Sequence, residues 1–250
     1  MSEMSKPKLI ALDLDGTLLR ANMTISKENE AAVRMAEDAG IQVMLATGRS
    51  MTTAKPLIAQ LGLTGPQITI NGSEIWSNPD TLFRRKIMDT DVIVTLHQIA
   101  KTHDTWFWGY ALDGVFNYEN PPADFYAHTW LKFGYHTEDE RVRAEIRESL
   151  LEMGEFELTN STPFNIEVNP QGINKSTALS VVCNQLGIEM NEVVAMGDSL
   201  NDYAMLRSVG CGIAMGNAQE ELLRVSKYQT ATNEQHGVAK AIEKILQGEW

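Results

Sequence analysis

The sequence KLIALDLDGT, at residues 8–17, joins a short apolar run to two aspartates and a glycine turn. A run of this length, closed by Asp15-Gly16, is typical of a buried β-strand that ends in a turn. In open α/β sheets, ligands bind outside the carboxyl ends of the strands. The stretch therefore predicts a strand that presents Asp13 and Asp15 together at a ligand-binding edge.

The pattern continues beyond this strand. Ser26, a typical N-cap residue, precedes a helical pattern that Gly40 ends. Two further apolar runs follow, at residues 41–46 and 67–70, with a helical pattern between them. Strands that alternate with helices predict a parallel sheet with right-handed crossovers.

The alternation stops after Asn71-Gly72. Downstream, residues 105–110 and 115–118 form two strand patterns around Asp113-Gly114, a pair that favours a tight hairpin. Residues 138–153 follow as a charged amphipathic helix. Strands and helices grouped in this way predict an α+β unit with an antiparallel sheet.

After Gly172 the alternation of helices and strands returns. The simplest organisation is an α/β fold interrupted by an insertion. We therefore expect a doubly wound, Rossmann-like parallel-sheet core over residues 1–80 and 170–250, with an α+β cap inserted over residues 81–169.

The composition excludes several classes of protein. The 250 residues include 33 Asp and Glu against 21 Lys and Arg, which leaves a net charge of −12. A field of that sign repels polyanions and anionic lipid, so we expect neither a nucleic-acid nor a membrane-surface partner. A small phosphorylated ligand stays possible, because a metal ion or a local cationic cluster overrides the average field.

The cysteines and the N-terminus indicate the compartment. Cys183 and Cys211 have no metal-finger spacing, which argues against a disulfide scaffold and a structural zinc site. Residues 1–7 lack the apolar run of a secretory signal, and no stretch approaches the ~18 apolar residues of a membrane span. We expect a cytoplasmic protein that is a monomer or a small homo-oligomer.

A second acidic segment follows the apolar run at residues 192–196. It is Gly197-Asp198-Ser199-Leu200-Asn201-Asp202 and by itself could be a turn with a capped helix. Beside Asp13 and Asp15, however, three or four carboxylates at one edge would repel one another without a cation. Hard oxygen ligands and a phosphate-type substrate favour Mg²⁺.

Two further segments are candidates for binding an anion. Thr47-Gly48-Arg49 follows the second strand, where a hydroxyl and backbone N–H groups form an anion cradle, although a simple helix cap is the alternative. Lys175 opens a helix, where the dipole disfavours a cation, and this placement hints at a neighbouring anion. A P-loop is excluded because Asn174 precedes the lysine and the upstream glycine is missing.

The segment Gly210–Gly216 fails as a dinucleotide fingerprint, because Met215 occupies the position of the third glycine. This weakens the hypothesis of a nicotinamide-dependent oxidoreductase. The five histidines show no paired metal-ligand spacing.

Together these segments resemble the four ordered motifs of the haloacid dehalogenase superfamily, and the insert resembles the C2 cap of its Cof-type phosphatase branch. The matching residues are Asp13-Leu14-Asp15-Gly16-Thr17, Thr47-Gly48-Arg49, Lys175 and Gly197-Asp198-Ser199-Leu200-Asn201-Asp202. Asn71-Gly72 and Asn169-Pro170-Gln171-Gly172 also resemble that branch.

The resemblance implies a role for each residue. Asp13 would be the nucleophile that forms an aspartyl-phosphate, and Asp15 the general acid and then base. The phosphate and substrate would be bound by Thr47, Gly48, Arg49, Lys175 and Asn201. Mg²⁺ would be bound by the Asp13 carboxylate, the Asp15 backbone carbonyl and Asp198, with Asp202 orienting Lys175 or a water.

The resemblance thus implies a Mg²⁺-dependent hydrolase of small phosphate esters, such as sugar phosphates, nucleotides, or flavin- or pyridoxal-pathway phosphates. Its cap would choose the leaving group, with Arg49, Trp108, Tyr110 and Asp113 as candidate contacts. A phosphomutase and a non-catalytic phosphate-binding regulator are the alternatives.

Overall fold

A computed structural model describes residues 7–250 of the chain. The described chain divides into two units, of which the first runs to Arg84 and resumes at Lys175–Trp250. The second unit, Arg85–Asn174, is inserted between the two halves of the first. Residues 1–6, on which the expectation about a secretory signal mainly rests, lie outside the described residues.

The strands are numbered in chain order. They are β1 (Leu9–Leu12), β2 (Gln42–Leu45), β3 (Gln67–Thr69), β4 (Glu74–Asn78), β5 (Thr81–Arg85), β6 (Trp106–Ala111), β7 (Gly114–Asn117), β8 (Trp130–His136), β9 (Phe156–Thr159), β10 (Asn165–Pro170), β11 (Val193–Gly197), β12 (Cys211–Ala214) and β13 (Tyr228–Gln229).

The α-helices are α1 (Lys27–Asp38), α2 (Met51–Leu61), α3 (Thr90–Thr102), α4 (Glu140–Met153), α5 (Lys175–Leu186), α6 (Tyr203–Ser208), α7 (Glu220–Val225) and α8 (Gly237–Leu246). Short 3₁₀ turns cover Ile70–Gly72, Phe125–Ala127, Met190–Glu192, Leu200–Asp202 and Asn233–Gln235. Within residues 7–250, no helix combines the length and the apolar character that a membrane span requires.

The first unit is built on a parallel sheet with the order β13-β12-β11-β1-β2. Alternate residues of β1 face opposite sides: Ile10 packs in a core with α1, α2 and α8, whereas Leu9 packs in a second core with α5 and α6. Because helices cover both faces, the strands are continuous apolar runs. The predicted doubly wound α/β core is confirmed.

The start of α1 follows the prediction. Ser26 is its N-cap, and the Ser26 hydroxyl accepts a hydrogen bond of 3.2 Å from the backbone N–H of Asn29. Beyond the parallel sheet, β3 pairs with β4 and β4 with β5 in a small sheet. The sequence patterns do not predict β4 and β5.

The second unit is an antiparallel sheet with helices α3 and α4 packed against it, and the sequence predicts an α+β unit with an antiparallel sheet. Its order is β7-β6-β8-β10-β9. The residues Phe107, Phe133 and Ile166 pack with Leu96 of α3 and Ile146 of α4. The central strand of this sheet, β8, is not among the predicted strands.

Candidate active site

Two neighbouring strands of the parallel sheet bring the acidic segments together. Strands β1 and β11 are adjacent and parallel, with Leu12 opposite Met196. Asp13 directly follows β1, and its backbone N–H donates to the carbonyl of Met196 over 3.1 Å. Asp198 directly follows β11. The carboxyl ends of these two strands therefore place both aspartates at the same edge of the sheet.

Lys175 lies between two carboxylates. Its Nζ is 2.6 Å from Oδ1 of Asp13 and 2.6 Å from Oδ1 of Asp202. The lysine and Asp202 are fully buried, and Asp13 is 3% exposed. Charge-assisted hydrogen bonds of this length in a desolvated place hold all three side chains in one arrangement.

Asp202 is held at its second oxygen by the backbone. Oδ2 accepts hydrogen bonds from the N–H groups of Asp198, at 3.1 Å, and Ser199, at 3.3 Å. A Cβ at Gly197 would lie 2.4 Å from Cγ of Asp202, so only glycine leaves room for this carboxylate. Since both Asp202 oxygens are occupied, this residue orients Lys175 and closes the turn after β11.

Asp198 has the least satisfied carboxylate of the group. Its Oδ1 is buried and accepts no hydrogen bond from any residue in the described part of the chain. Burial, followed by the charge of Asp202, raises the pKa of Asp198 to about 7. A buried acceptor without a donor is costly unless a further group binds it.

Gly16 makes the space that Asp198 occupies. The φ angle of Gly16 is +76°, and a Cβ there would lie 2.2 Å from Oδ2 of Asp198. Both the turn after β1 and the position of the Asp198 carboxylate therefore require a residue without a side chain at position 16.

When all three are ionised, the carboxylates of Asp13, Asp198 and Asp202 outnumber the single cation of the cluster. Burial raises the pKa of Asp13 well above its ordinary value; Lys175 opposes this rise, while Asp202 and Asp198 add to it. Burial by itself lowers the pKa of Lys175, but the carboxylates of Asp13 and Asp202 outweigh burial and raise it. The lysine is therefore a cation, and it does not neutralise three carboxylates.

These carboxylates fit a divalent cation. Asp13, Asp198 and Asp202 each offer an oxygen, and these oxygens lie within 4.8 Å of one another. Hard carboxylate oxygens are the ligands that Mg²⁺ prefers. Such an ion would satisfy the unpartnered oxygen of Asp198 and would offset the charge of the ionised carboxylates.

Asp15 is engaged elsewhere. Its carboxylate accepts from Nε of Arg49 at Oδ2, over 2.7 Å, and from Nη2 at Oδ1, over 2.5 Å. Within residues 7–250, the cluster of neighbouring carboxylates consists of Asp13, Asp198 and Asp202 and does not include Asp15. The structure therefore brings Asp13 together with Asp198, Asp202 and Lys175, and pairs Asp15 with Arg49, 34 positions away.

Thr47 and Asn201 are buried and held by local hydrogen bonds. The Thr47 hydroxyl accepts from the backbone N–H of Arg49 over 3.1 Å, and Gly48 lies in the bend between these two residues. Oδ1 of Asn201 accepts from the Ser199 hydroxyl over 3.0 Å. Both polar side chains follow strand ends of the parallel sheet, as the motifs predict.

Sequence reasoning did not identify Asn217, which supports the turn after β1. Its Nδ2 donates to the carbonyl of Gly16 over 2.8 Å, and its Oδ1 accepts from the N–H of Asn233 over 3.0 Å. A signal was available, because Asn217 lies just beyond the carboxyl end of β12 in the same sheet.

The three candidate contact residues of the insert lie on the second unit's sheet and hairpin. The indole of Trp108 lies over Gly134, where a Cβ would approach it to 2.3 Å. Tyr110 lies next to Lys132, whose Nζ is 5.9 Å from the ring centre. Asp113 is in the hairpin turn, 2.7 Å from Nδ1 of His128.

Comparison with known proteins gives consistent matches over almost the whole chain. The family model described as haloacid dehalogenase-like hydrolase matches residues 10–148 and 123–242. The 5-amino-6-(5-phospho-D-ribitylamino)uracil phosphatase YcsE of Bacillus subtilis is 47% identical and covers 94% of this chain and 94% of its own length.

Two further matches are more distant. The phosphoglycolate phosphatase of Methanobrevibacter smithii is 32% identical over 95% of this chain and 97% of its own. The solved structure of a haloacid dehalogenase-like hydrolase from Bacillus subtilis superposes with a TM-score of 0.86 at 25% identity, covering 94% of this chain and 99% of that chain.

Proposed function

The chain belongs to the haloacid dehalogenase-like hydrolases and is a phosphatase of that family, and on this premise we propose that it is a Mg²⁺-dependent phosphomonoester hydrolase that works through an aspartyl-phosphate. One observation carries the proposal: Asp13, buried at the end of β1, has an oxygen 2.6 Å from the cationic Nζ of Lys175. A desolvated carboxylate beside a fixed cation is suited to attack a bound phosphate.

In the first half of the reaction, an Asp13 oxygen attacks phosphorus in line. The new bond joins Asp13 to phosphorus while the bond from phosphorus to the leaving oxygen breaks. Lys175, held by Asp202, stabilises charge on the phosphoryl oxygens in the transition state. Water then attacks the same phosphorus, which releases inorganic phosphate and regenerates the Asp13 carboxylate.

Asp15 would serve both halves as acid and base. It gives a proton to the leaving oxygen in the first half and takes one from water in the second. Thr47, Gly48 and Asn201 are proposed to bind the phosphate and substrate, whereas the Arg49 guanidinium is bound to the Asp15 carboxylate.

The residues that would hold Mg²⁺ are Asp13, Asp198 and the backbone carbonyl of Asp15, with Asp202 behind them. The ion supplies positive charge that offsets the carboxylates and admits an anionic substrate. Asp198 is half-buried, and its buried Oδ1, which has no hydrogen-bond donor among the described residues, supports this part of the proposal.

For the substrate, we propose a small phosphorylated metabolite of the flavin pathway. The relative at 47% identity is named a phosphatase of 5-amino-6-(5-phospho-D-ribitylamino)uracil, and this compound is the first to test. We propose that residues 1–80 and 170–250 form the catalytic core and residues 81–169 the cap that selects the leaving group.

The compartment and assembly are part of the same proposal. Cys183 and Cys211 are free and buried, which supports a reducing, cytoplasmic location. The expected assembly is a monomer or a small homo-oligomer.

The test is steady-state release of inorganic phosphate from a panel of metabolite phosphates, with and without Mg²⁺. We expect turnover that requires the ion and a kcat/KM that is highest for the ribitylaminouracil phosphate. A complete absence of Mg²⁺-dependent phosphate release over the panel would contradict the proposal. Transfer of the phosphoryl group to a second substrate hydroxyl, with no net phosphate release, would instead identify a phosphomutase.

A further inference from the structure

The Arg49 guanidinium binds the Asp15 carboxylate through two hydrogen bonds, one to each oxygen, and this bidentate pair is called the fork below. Nε donates to Oδ2 over 2.7 Å and Nη2 donates to Oδ1 over 2.5 Å. The arginine side chain is 21% exposed and the aspartate side chain 44%. A bidentate guanidinium fixes the plane of a carboxylate as well as its position, which a lysine does not do.

The backbone on both sides of the fork is anchored. The N–H of Arg49 donates to the Thr47 hydroxyl over 3.1 Å, and the carbonyl of Arg49 accepts from the N–H of Ile70 over 2.9 Å. On the other side, Asn217 holds the carbonyl of Gly16, the residue after Asp15. The remaining freedom of Asp15 is therefore in its side-chain torsions, and the fork removes it.

We propose that Arg49 is the positioning residue of Asp15 and acts on the reaction through that carboxylate. This inference rests on the proposed function, in which Asp15 transfers protons. A carboxylate has about four lone-pair sites, and the fork occupies two of them, so each oxygen keeps a site for a proton. Arg49 therefore fixes Asp15 without blocking it.

Each half-reaction includes a proton transfer that requires Asp15 in its correct position. In the first, a proton moves from Asp15 to the leaving oxygen as the phosphorus–oxygen bond breaks. In the second, a proton moves from water to Asp15 as water oxygen bonds to phosphorus and the bond to Asp13 breaks. An alkoxide needs the first proton, whereas a dinitrophenolate leaves without it.

The test compares Arg49→Gln with wild type on an alkyl phosphate and on dinitrophenyl phosphate. General acid catalysis and correct placement contribute strongly to rate, so we expect kcat on the alkyl phosphate to fall by ~10- to 100-fold. On dinitrophenyl phosphate we expect a first half-reaction close to wild type, measured as the rate of dinitrophenolate release in single-turnover experiments. KM should change by less than about 3-fold for both, because a positioning residue does not bind the substrate.

Two further variants sharpen the test. Arg49→Lys keeps the charge and loses the fork, so it should recover only part of the lost kcat. Lys55→Gln is the matched control, because Lys55 lies on α2 and forms an exposed ion pair with Asp80, at 2.5 Å, away from Asp15. This control should leave kcat and its dependence on the leaving group unchanged.

A double-variant cycle with Asp15→Asn decides between positioning and direct binding. If Arg49 acts through Asp15, then the double variant Arg49→Gln/Asp15→Asn should have a kcat less than about 2-fold below that of Asp15→Asn alone. A full additional loss in that background, or a uniform rise in KM on both substrates, would overturn the inference while leaving the phosphatase intact. Wild-type protein without phosphate release from either ester would overturn the proposed function itself.

Discussion

Nζ of Lys175 lies 2.6 Å from Oδ1 of Asp13, although 162 positions separate the two residues in the chain. The contact joins the first residue of α5 to the residue that follows β1. A lysine at the start of a helix faces an unfavourable dipole, and here the carboxylates of Asp13 and Asp202 offset it. The inserted second unit separates these residues in sequence and leaves them adjacent within the first unit.

Asp13→Asn should abolish phosphate release while the protein still folds. The amide keeps the shape of the side chain and loses the nucleophile, so we expect kcat to fall by at least ~10³-fold. The melting temperature without Mg²⁺ should be equal to or above that of wild type, because one charge leaves a crowded acidic cluster. Phosphate assays and thermal unfolding measure both effects. Turnover near the wild-type rate would mean that another residue is the nucleophile.

Lys175→Ala should lower kcat/KM by the same large factor for every substrate, since the lysine acts on the phosphate that all substrates share. It also leaves two buried carboxylates without their cation, which costs ~3–5 kcal/mol of unfolding free energy. Denaturant titration and a substrate panel measure these effects.

Lys8→Ala is the control for this variant. The Lys8–Glu192 pair, at 2.7 Å, is solvent-exposed on the lysine side, and such pairs contribute ~0–1 kcal/mol. A loss of activity with Lys175→Ala that is confined to some substrates would place the lysine on the leaving-group side.

The metal-free protein should lose stability as the pH rises from about 4 to 7. The pKa of Asp198 is about 7 in the folded chain, whereas an unfolded aspartate has a pKa near ~3.9. Between these values the folded state binds the additional proton, so stability present at low pH disappears as the pH rises through the folded pKa, by up to ~4 kcal/mol.

Thermal unfolding in a chelator at pH 5 and pH 7.5 measures this slope. Mg²⁺ should flatten it, because a bound cation favours the ionised carboxylate, and Asp198→Asn should flatten it without the ion. A melting temperature that rises with pH in the chelator would contradict the prediction.

Gly16→Ala should reduce both stability and activity. The positive φ angle costs ~1–2 kcal/mol for any other residue, and the new Cβ would lie 2.2 Å from Oδ2 of Asp198. Displacing that carboxylate should raise the Mg²⁺ concentration needed for half-maximal activity. It should also lower kcat by ~10-fold or more.

Gly40→Ala is the matched control for the backbone strain. Its φ angle is +80°, and a Cβ there would meet no described atom within 4 Å. It should show the loss of stability and a normal Mg²⁺ response. Equal effects of the two substitutions on Mg²⁺ dependence would exclude the contact with Asp198 as the cause.

One strand that the sequence patterns do not predict, β8, is missed for a physical reason. Strand β8 carries Lys132 and Gly134, which interrupt the apolar pattern of a buried strand. Lys132 is nonetheless buried, because Glu167 on the neighbouring strand lies 2.6 Å from its Nζ. A lysine whose partner is 35 positions away carries no local signal that it belongs to a core.

The sequence by itself determined the parallel core, the insertion and the edge at which Asp13 and Asp198 lie. Apolar periodicity, caps and turns are local properties, and strand ends in a parallel sheet meet at one edge whatever their distance along the chain. Only the tertiary structure decided the pairing of Asp15 with Arg49, of Lys175 with Asp13 and Asp202, and the unpartnered oxygen of Asp198. Ion pairs and burial depend on positions within a few ångströms, and these follow from packing between distant segments, which no local pattern records.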